Sequence, residues 1–391
     1  MLCLRDRLIM KALLLSAYDA ESHQLWRQNL KQMFPHIEWV ELTLPPRYFS
    51  WRVRGNSLSW AFGHPKQINA QYDFLLCTSM TDLSALRGFI PALARLPSIV
   101  YFHENQFAYP TNPNPLAERT NIVEPQLLSI YTALCADWMI FNSHWNRNSF
   151  IDGASQLLRK LPDHVPTGLI AKLSESTVIP VPLDDGLFQR RGNKTPRPDQ
   201  ALDIVWNHRW EYDKGPALLL AIVELLVQNN VFFRLHLLGQ RFRQTPTEFV
   251  HLQQILNKYN ERHGVAAPTM SYLPSRDEYL QVLAQADVVL STALHDFQGL
   301  ALLEAIALGC TPLAPARLVY PEYLEGNFLY NDSPLLREQA VAAASRLSSW
   351  AKLKQSGQAL PKTDVRQFQQ SHLLPQYEEL FTSVAKPIPL C

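Results

Sequence analysis

Short apolar runs alternate with longer segments of helical period along almost the whole chain, and this alternation restricts the fold more than any single motif. KALLLSAY is followed by SHQLWRQNLKQMF, IEWVELTL, YDFLLCTS, SIVYF and QLLSIYTALCADWMIFNS. Short β-branched and aromatic runs suit buried strands and the amphipathic segments suit covering helices, which is the βαβ rhythm of a parallel sheet. The rhythm stops at VIPVPLDDGLFQRRGNKTPRPDQ, Val178 to Gln200, where proline and charge accumulate. It resumes with DIVWNHRW, PALLLAIVELLVQ, FFRLHLLG, TMSYLP, DEYLQVLAQ, ADVVLSTA and GLALLEAIALG. The expectation is an α/β protein of two Rossmann-like domains, residues 10–180 and 201–365, with the linker in the pause. The segment HLLPQYEELFTSVAK, within residues 366–391, reads as a last amphipathic helix that packs back on the first domain.

A chain of 391 residues, 47% hydrophobic and 18% charged, can fill two cores. Its five cysteines are scattered, without CxxC pairs or histidines at ligand spacing, so neither a disulfide framework nor a zinc site is indicated and a reducing cytoplasm fits. The start, MLCLRDRLIMKALLLSAY, is basic and then apolar, but Lys11 interrupts the apolar patch, so it reads as a tail of nine residues before a strand rather than a leader. Apolar stretches fall short of membrane-spanning length. A net charge of +1 argues against holding nucleic acid by bulk electrostatics. The balance is about +3 over residues 1–200 and about −2 over the remainder, so a polyanion would favour the first half.

Four segments carry chemistry. In VVLSTALHDFQGLALLEAIALG a strand leads through a turn holding Asp296 and Gly299 into a helix ended by Gly309. The free amides of Gly299 and Leu300 and the positive helix end suit an anion, and Glu304 one turn on suits hydroxyl groups. A capping Asp and a solvated Glu are the plain alternative. In VWNHRWEYDKGP, Arg209 and Lys214 stand between a strand end and a glycine-opened helix, as a diphosphate requires; a solvated loop would look the same. YFHENQFAYP places His103, Glu104, Asn105 and Gln106 at the end of the strand-like run LPSIVYF, where open sheets bind ligands. A helix cap with a buried structural histidine would also produce it. PPRYFSWRVRG interleaves Arg47, Arg52 and Arg54 with Tyr48, Phe49 and Trp51, which on the residues alone favours an amphipathic edge strand.

These segments stand in the order found in GT-B glycosyltransferases, and the chain resembles the retaining, Glu-x7-Glu branch of that superfamily over nearly its whole length. LPPRYFSWRVRGNSLSW, YFHENQFAYP, FNSHWNRNSF, NHRWEYDK, HDFQGLALLEAIALGCTPL and RLVYPEYL together resemble the tRNA-queuosine α-mannosyltransferase family. YFHENQ and RLVYPE are the specific runs; the carboxylate pair is widely shared. Two departures stand out: Asp296 replaces the usual first Glu, and SAYDAESHQLW lacks the glycines that relatives carry after the first strand.

The resemblance implies two Rossmann-like domains facing a cleft, with mannose transferred from GDP-mannose to the cyclopentenediol of queuosine in the anticodon of tRNA-Asp, in the cytoplasm. It implies that Arg209 and Lys214 bind the diphosphate and Glu304 the ribose. Asp296, with the amides of Gly299 and Leu300, would hold the sugar, and His103 would face it. Glu104, Asn105, Gln106 and Tyr109 would hold the acceptor, and Arg47, Trp51, Arg52 and Arg54 would contact RNA, cations for phosphates and rings for unstacked bases. No metal or other cofactor is expected, since Asp-x-Asp is absent and cations can carry the leaving diphosphate's charge. Two rivals remain open. A lipid or polysaccharide acceptor calls for a membrane-facing helix, which the first half lacks. An inactive RNA-binding relative would have lost the diphosphate cations or the carboxylates, all of which are present.

Overall fold

The computed structural model describes residues 10–110, 123–161, 168–191, 200–241, 245–266 and 268–385. The N-terminal tail and residues 192–199 of the expected linker lie outside that set. The chain forms two compact units. One holds the described residues to Tyr109, those of 116–182, and the last helix from Gln370; the other holds Pro110 and Leu183–Gln369.

The first unit is built on β1 (Lys11–Ser16), β2 (Glu38–Thr43), β3 (Phe74–Thr78), β4 (Ser98–Phe102), β5 (Trp138–Phe141) and β6 (Thr177–Val178), all parallel in the order β2-β1-β3-β4-β5-β6. β3 and β4 are buried along their whole length, as strands covered by helices on both faces must be. Phe102, Phe141 and Phe150 stack at the centre. The last helix, Gln370–Val384, belongs here: Phe381 packs on Phe34, Trp39 and Phe74, and Trp26 Nε1 donates to Tyr377 Oη over 3.2 Å.

The second unit has β7 (Leu202–Asn207), β8 (Phe233–Leu238), β9 (Val288–Leu290), β10 (Thr311–Pro315) and β11 (Leu329–Tyr330), in the order β11-β10-β9-β7-β8 and again parallel. Both sheets thus place their second strand outside their first and run on from the other side. The order reverses between β1 and β3, and between β7 and β9. Loops leaving the carboxyl ends of such neighbours diverge, which opens a crevice for ligands.

Three segments differ from expectation. PPRYFSWRVRG is not an edge strand: Pro45 and Pro46 end the extended chain, Tyr48 takes φ 55°, and the helix Phe49–Gly63 follows. Its buried side, Val53, Asn56, Trp60 and Ala61, has the 3.6-residue period, which the alternating cations and rings disguise. TMSYLP joins no ladder beyond Thr269, whose carbonyl accepts from Leu237 N at 2.9 Å and whose N–H donates to His236 Nδ1 at 3.1 Å along β8's outer edge. The helix Glu248–His263, with Phe249, Leu252, Leu256 and Tyr259 on its buried face, is an element the sequence analysis did not single out.

Candidate active site

In the second unit the loops after β7 and β9 are tied to each other. Trp206 Nε1 donates to Thr292 Oγ1 (2.9 Å), and Thr292 Oγ1 donates to Lys214 O (2.7 Å). Gly215, at φ 66°, lies so close that a Cβ there would sit 2.0 Å from Thr292 O, so glycine is required. Lys214 is therefore held firmly. Its buried Nζ donates to His295 O at 2.6 Å and stands 3.4 Å from the Asp213 carboxylate. Arg209 is half-exposed and pairs with Glu211 at 2.9 Å, with Asp213 3.6 Å away. The two cations expected to meet a diphosphate are brought to one loop, one buried and one at the surface.

Asp296 follows β9. Tyr320 Oη donates to its Oδ2 at 2.9 Å and is 2.7 Å from Ser291 Oγ. Burial acts to raise the pKa of Asp296, but the charge of Lys214, then His208 and the Tyr320 bond, outweigh it and hold the carboxyl below its ordinary value. His208 and His295 are lowered to about 4, chiefly by burial and then by Lys214, so both are neutral at pH 7. Gly299, at φ 73°, opens the helix Leu300–Ala307, and a Cβ on it would lie 2.6 Å from Tyr323 Oη. The run RLVYPEYL is thus the wall against which the Asp296–Gly299 turn rests.

Glu304 is buried on that helix, and both carboxylate oxygens already accept from the guanidinium fork of Arg276. Tyr279 Oη lies 3.5 Å from Oε2 and also accepts from Asn207 Nδ2 at 3.0 Å. Asn207 Oδ1 is buried without a hydrogen-bond partner among the described residues. Arg276, Tyr279 and Asn207 escaped the sequence analysis because each is distant in sequence from Glu304. Only the position of Asn207, at the carboxyl end of β7, signalled it.

In the first unit His103 follows β4, buried by the rings of His23 (4.1 Å, stacked), Trp26 (4.7 Å, edge-on) and Tyr101 (4.7 Å, tilted). Burial, and next the neighbouring His23, put its pKa well below the ordinary histidine value. His103 Nε2 has no hydrogen-bond partner among the described residues, a state costing about 1–3 kcal/mol unless a ligand relieves it. Glu104 Oε2 accepts from His23 Nε2 at 3.1 Å.

Asn105 requires correction as an acceptor ligand. It is fully buried: Nδ2 donates to Asn146 O, Asn146 Oδ1 and Ser149 Oγ within 3.0 Å, while Oδ1 accepts from the amides of Phe107 and Ala108. With its hydrogen-bonding capacity used inside the fold, it ties the loop after β4 to the helix His144–Leu158. Gln106 is partly exposed, with Nε2 3.5 Å from Met80 Sδ, and Tyr109 is 45% exposed.

A family model described as tRNA-queuosine alpha-mannosyltransferase N-terminal matches residues 11–183. A Drosophila melanogaster protein, tRNA-queuosine alpha-mannosyltransferase, is 30% identical over 377 residues, which is 94% of this chain and 96% of that protein. The chain belongs to the tRNA-queuosine α-mannosyltransferase family. Among solved structures, trehalose-6-phosphate synthase OtsA has a TM-score of 0.63 at 15% identity, covering 97% of this chain and 100% of that one. Anabaena Alr3699/HepE in complex with UDP and glucose has 0.58 at 15%, covering 96% and 100%. The fold is GT-B, and the chain is a glycosyltransferase of this type.

Within this queuosine mannosyltransferase family chain, the helix Phe49–Gly63 sorts its arginines. Arg52 and Arg54 are two positions apart, hence roughly 200° apart around a helix, so they cannot share a face. Arg52 is largely buried, and its Nε donates to Pro45 O at 3.3 Å, which braces the helix entry. Arg54 points outward and is anchored by Asp82 at 3.1 Å and Glu124 at 3.5 Å. Arg47 is exposed, 5.7 Å over the Tyr48 ring. Trp51 is 54% exposed, and its indole rests where Gly55 has no Cβ, for one would fall 2.3 Å from Cε2. The indole thus rests against the helix at Gly55 and keeps more than half of its surface exposed.

Proposed function

We propose that this chain is a retaining glycosyltransferase that transfers mannose from GDP-mannose to the queuosine base in the anticodon of tRNA-Asp. The observation that carries the reading is the 30% identity, over 94% of the chain, to the Drosophila melanogaster tRNA-queuosine alpha-mannosyltransferase. The geometry supports it. Lys214 and Arg209 neutralise the leaving diphosphate, Glu304 accepts from the ribose hydroxyls, and Asp296 with the amides of Gly299 and Leu300 holds the mannose. His103 offers Nε2 to a sugar hydroxyl, and Gln106 and Tyr109 serve the acceptor. Retention follows from front-face attack: the queuosine hydroxyl bonds to the anomeric carbon as the phosphate oxygen departs and takes its proton. Since cations and amides carry the diphosphate's charge, a metal ion is not required. A tRNA substrate supports a cytoplasmic location.

The test is nucleoside mass spectrometry of tRNA incubated with the protein and a nucleotide sugar. One hexose should appear on queuosine with GDP-mannose, at the same rate with and without a chelator, and none on tRNA lacking queuosine. Equal transfer to both tRNAs, or transfer to a lipid extract instead, would remove the acceptor; loss on chelation restored by magnesium would remove the metal-free mechanism.

The surface of the helix Phe49–Gly63 makes a separate expectation. Arg47→Gln with Arg54→Gln should weaken tRNA binding and reduce the magnitude of its log–log salt slope by about two, and Trp51→Ala should cost about 1–3 kcal/mol of affinity without changing that slope. Arg52→Gln should lower the melting temperature instead. tRNA titrations at several salt concentrations read these outcomes; a slope unchanged in the double variant would show that RNA is held elsewhere.

A further inference from the structure

Two buried imidazoles stacked face to face need a reason, because neither fills space as well as an aliphatic side chain and both carry polar atoms. His23, near the start of the helix Glu21–Met33, and His103, after β4, have ring centroids 4.1 Å apart and planes 24° apart. Each has a buried nitrogen without a hydrogen-bond partner among the described residues, Nδ1 of His23 and Nε2 of His103. The remaining walls around His103 are rings held in place from behind. Trp26 bonds to Tyr377 Oη, which in turn donates to Pro180 O at 3.0 Å, and Tyr101 Oη donates to Ile179 O at 2.8 Å.

Among the described residues, the carboxylate bonded to this stack is that of Glu104, and it bonds to His23. An ionised Glu104 can only accept, so His23 carries a proton on Nε2. Two stacked rings at this distance cannot both be cationic, since like charges in a buried place repel strongly. His103 remains neutral, with its plane set by His23 and its Nε2 left over.

We propose that His23 and Glu104 are positioning residues for His103: the pair fixes the plane of that ring, and through it the hydrogen bond that His103 Nε2 makes with a hydroxyl of the transferred sugar. The inference rests on the placement of His103 at the sugar in the function proposed above. It also gives Glu104 a different task from direct acceptor binding.

The experiment compares His23→Phe, Glu104→Gln and His103→Ala in the full-length protein with GDP-mannose and queuosine-containing tRNA. His23→Phe keeps a flat ring in the stack and loses the bond to Glu104. Its kcat should fall about 10- to 100-fold, the usual effect of removing an orienting partner, with both KM values within about twofold of the parent. Glu104→Gln should move kcat in the same direction by less. Adding His23→Phe to His103→Ala should change nothing further. Imidazole NMR should show the His103 ring signals displaced in Glu104→Gln as its stacking partner turns, at an unchanged melting temperature, a signature that a purely structural role would not produce. If His23→Phe fails to fold, Glu104→Gln and its spectrum decide the matter. An inactive His103→Ala beside fully active His23→Phe and Glu104→Gln variants, with His103 unchanged in the spectrum, overturns the positioning role and leaves the proposed function standing. A fully active His103→Ala overturns the positioning role together with the placement of His103 at the sugar, while absence of transfer by the parent protein overturns the proposed function.

Discussion

Glu304→Gln is expected to lower kcat/KM for GDP-mannose by about tenfold to a hundredfold. A ribose diol needs two acceptors in one plane, and an ionised carboxylate supplies both; each such charge-assisted bond contributes about 1.5–3 kcal/mol. Glutamine keeps the shape, offers one acceptor, and sets an N–H₂ against a guanidinium that already occupies the carboxylate. The fall should not come from unfolding. Although Glu304 is buried, Arg276 is 48% exposed, so water can solvate its released fork and the stability change should stay near 1 kcal/mol or less. Calorimetric titration with GDP-mannose beside a melting curve separates the two effects. A donor Kd within twofold of the parent would mean that Glu304 serves Arg276 and not the ribose.

Lys214→Met should be the most damaging change among the cations, reducing kcat by about a hundredfold to a thousandfold, the range for removing one donor aimed at developing charge. Lys214 is buried and held at its backbone by Thr292 and at Nζ by His295 O, so its charge reaches a departing diphosphate with little screening by water. It also opposes the burial that would raise the pKa of Asp296, so without it that carboxyl moves upward and activity should fade at a higher pH than in the parent. Arg209 is half-exposed and already engaged by Glu211, so Arg209→Ala should cost no more than about tenfold. Single-turnover rates measured across pH 5–8 test the order. An Arg209 variant as impaired as the Lys214 variant would place the diphosphate at the surface cation.

The outcome at YFHENQFAYP shows how far residue types alone could go. YFHENQ was recognisable as a polar cluster at a strand end, and β4 does end at Phe102. Which of its side chains are available could not be read from it. Asn105 is turned inward to bond the helix that begins at His144, 39 positions later, and Glu104 is turned to His23, 81 positions earlier. Likewise Arg47, Arg52 and Arg54 looked equivalent until the helix placed Arg52 against Pro45 and Arg54 beside Asp82.

By itself the sequence determined the two-domain α/β class, the parallel sheets and the loops that carry charge, since these depend on the spacing of apolar residues and on glycines such as Gly215 and Gly299, all local properties. The pairings that set each site's chemistry were decided only by tertiary structure. Arg276 on Glu304, Tyr320 on Asp296, and His23 on His103 join elements that only folding brings side by side. A side chain's charge state and free valence depend on whichever neighbours burial brings to it, and those neighbours are far away along the chain.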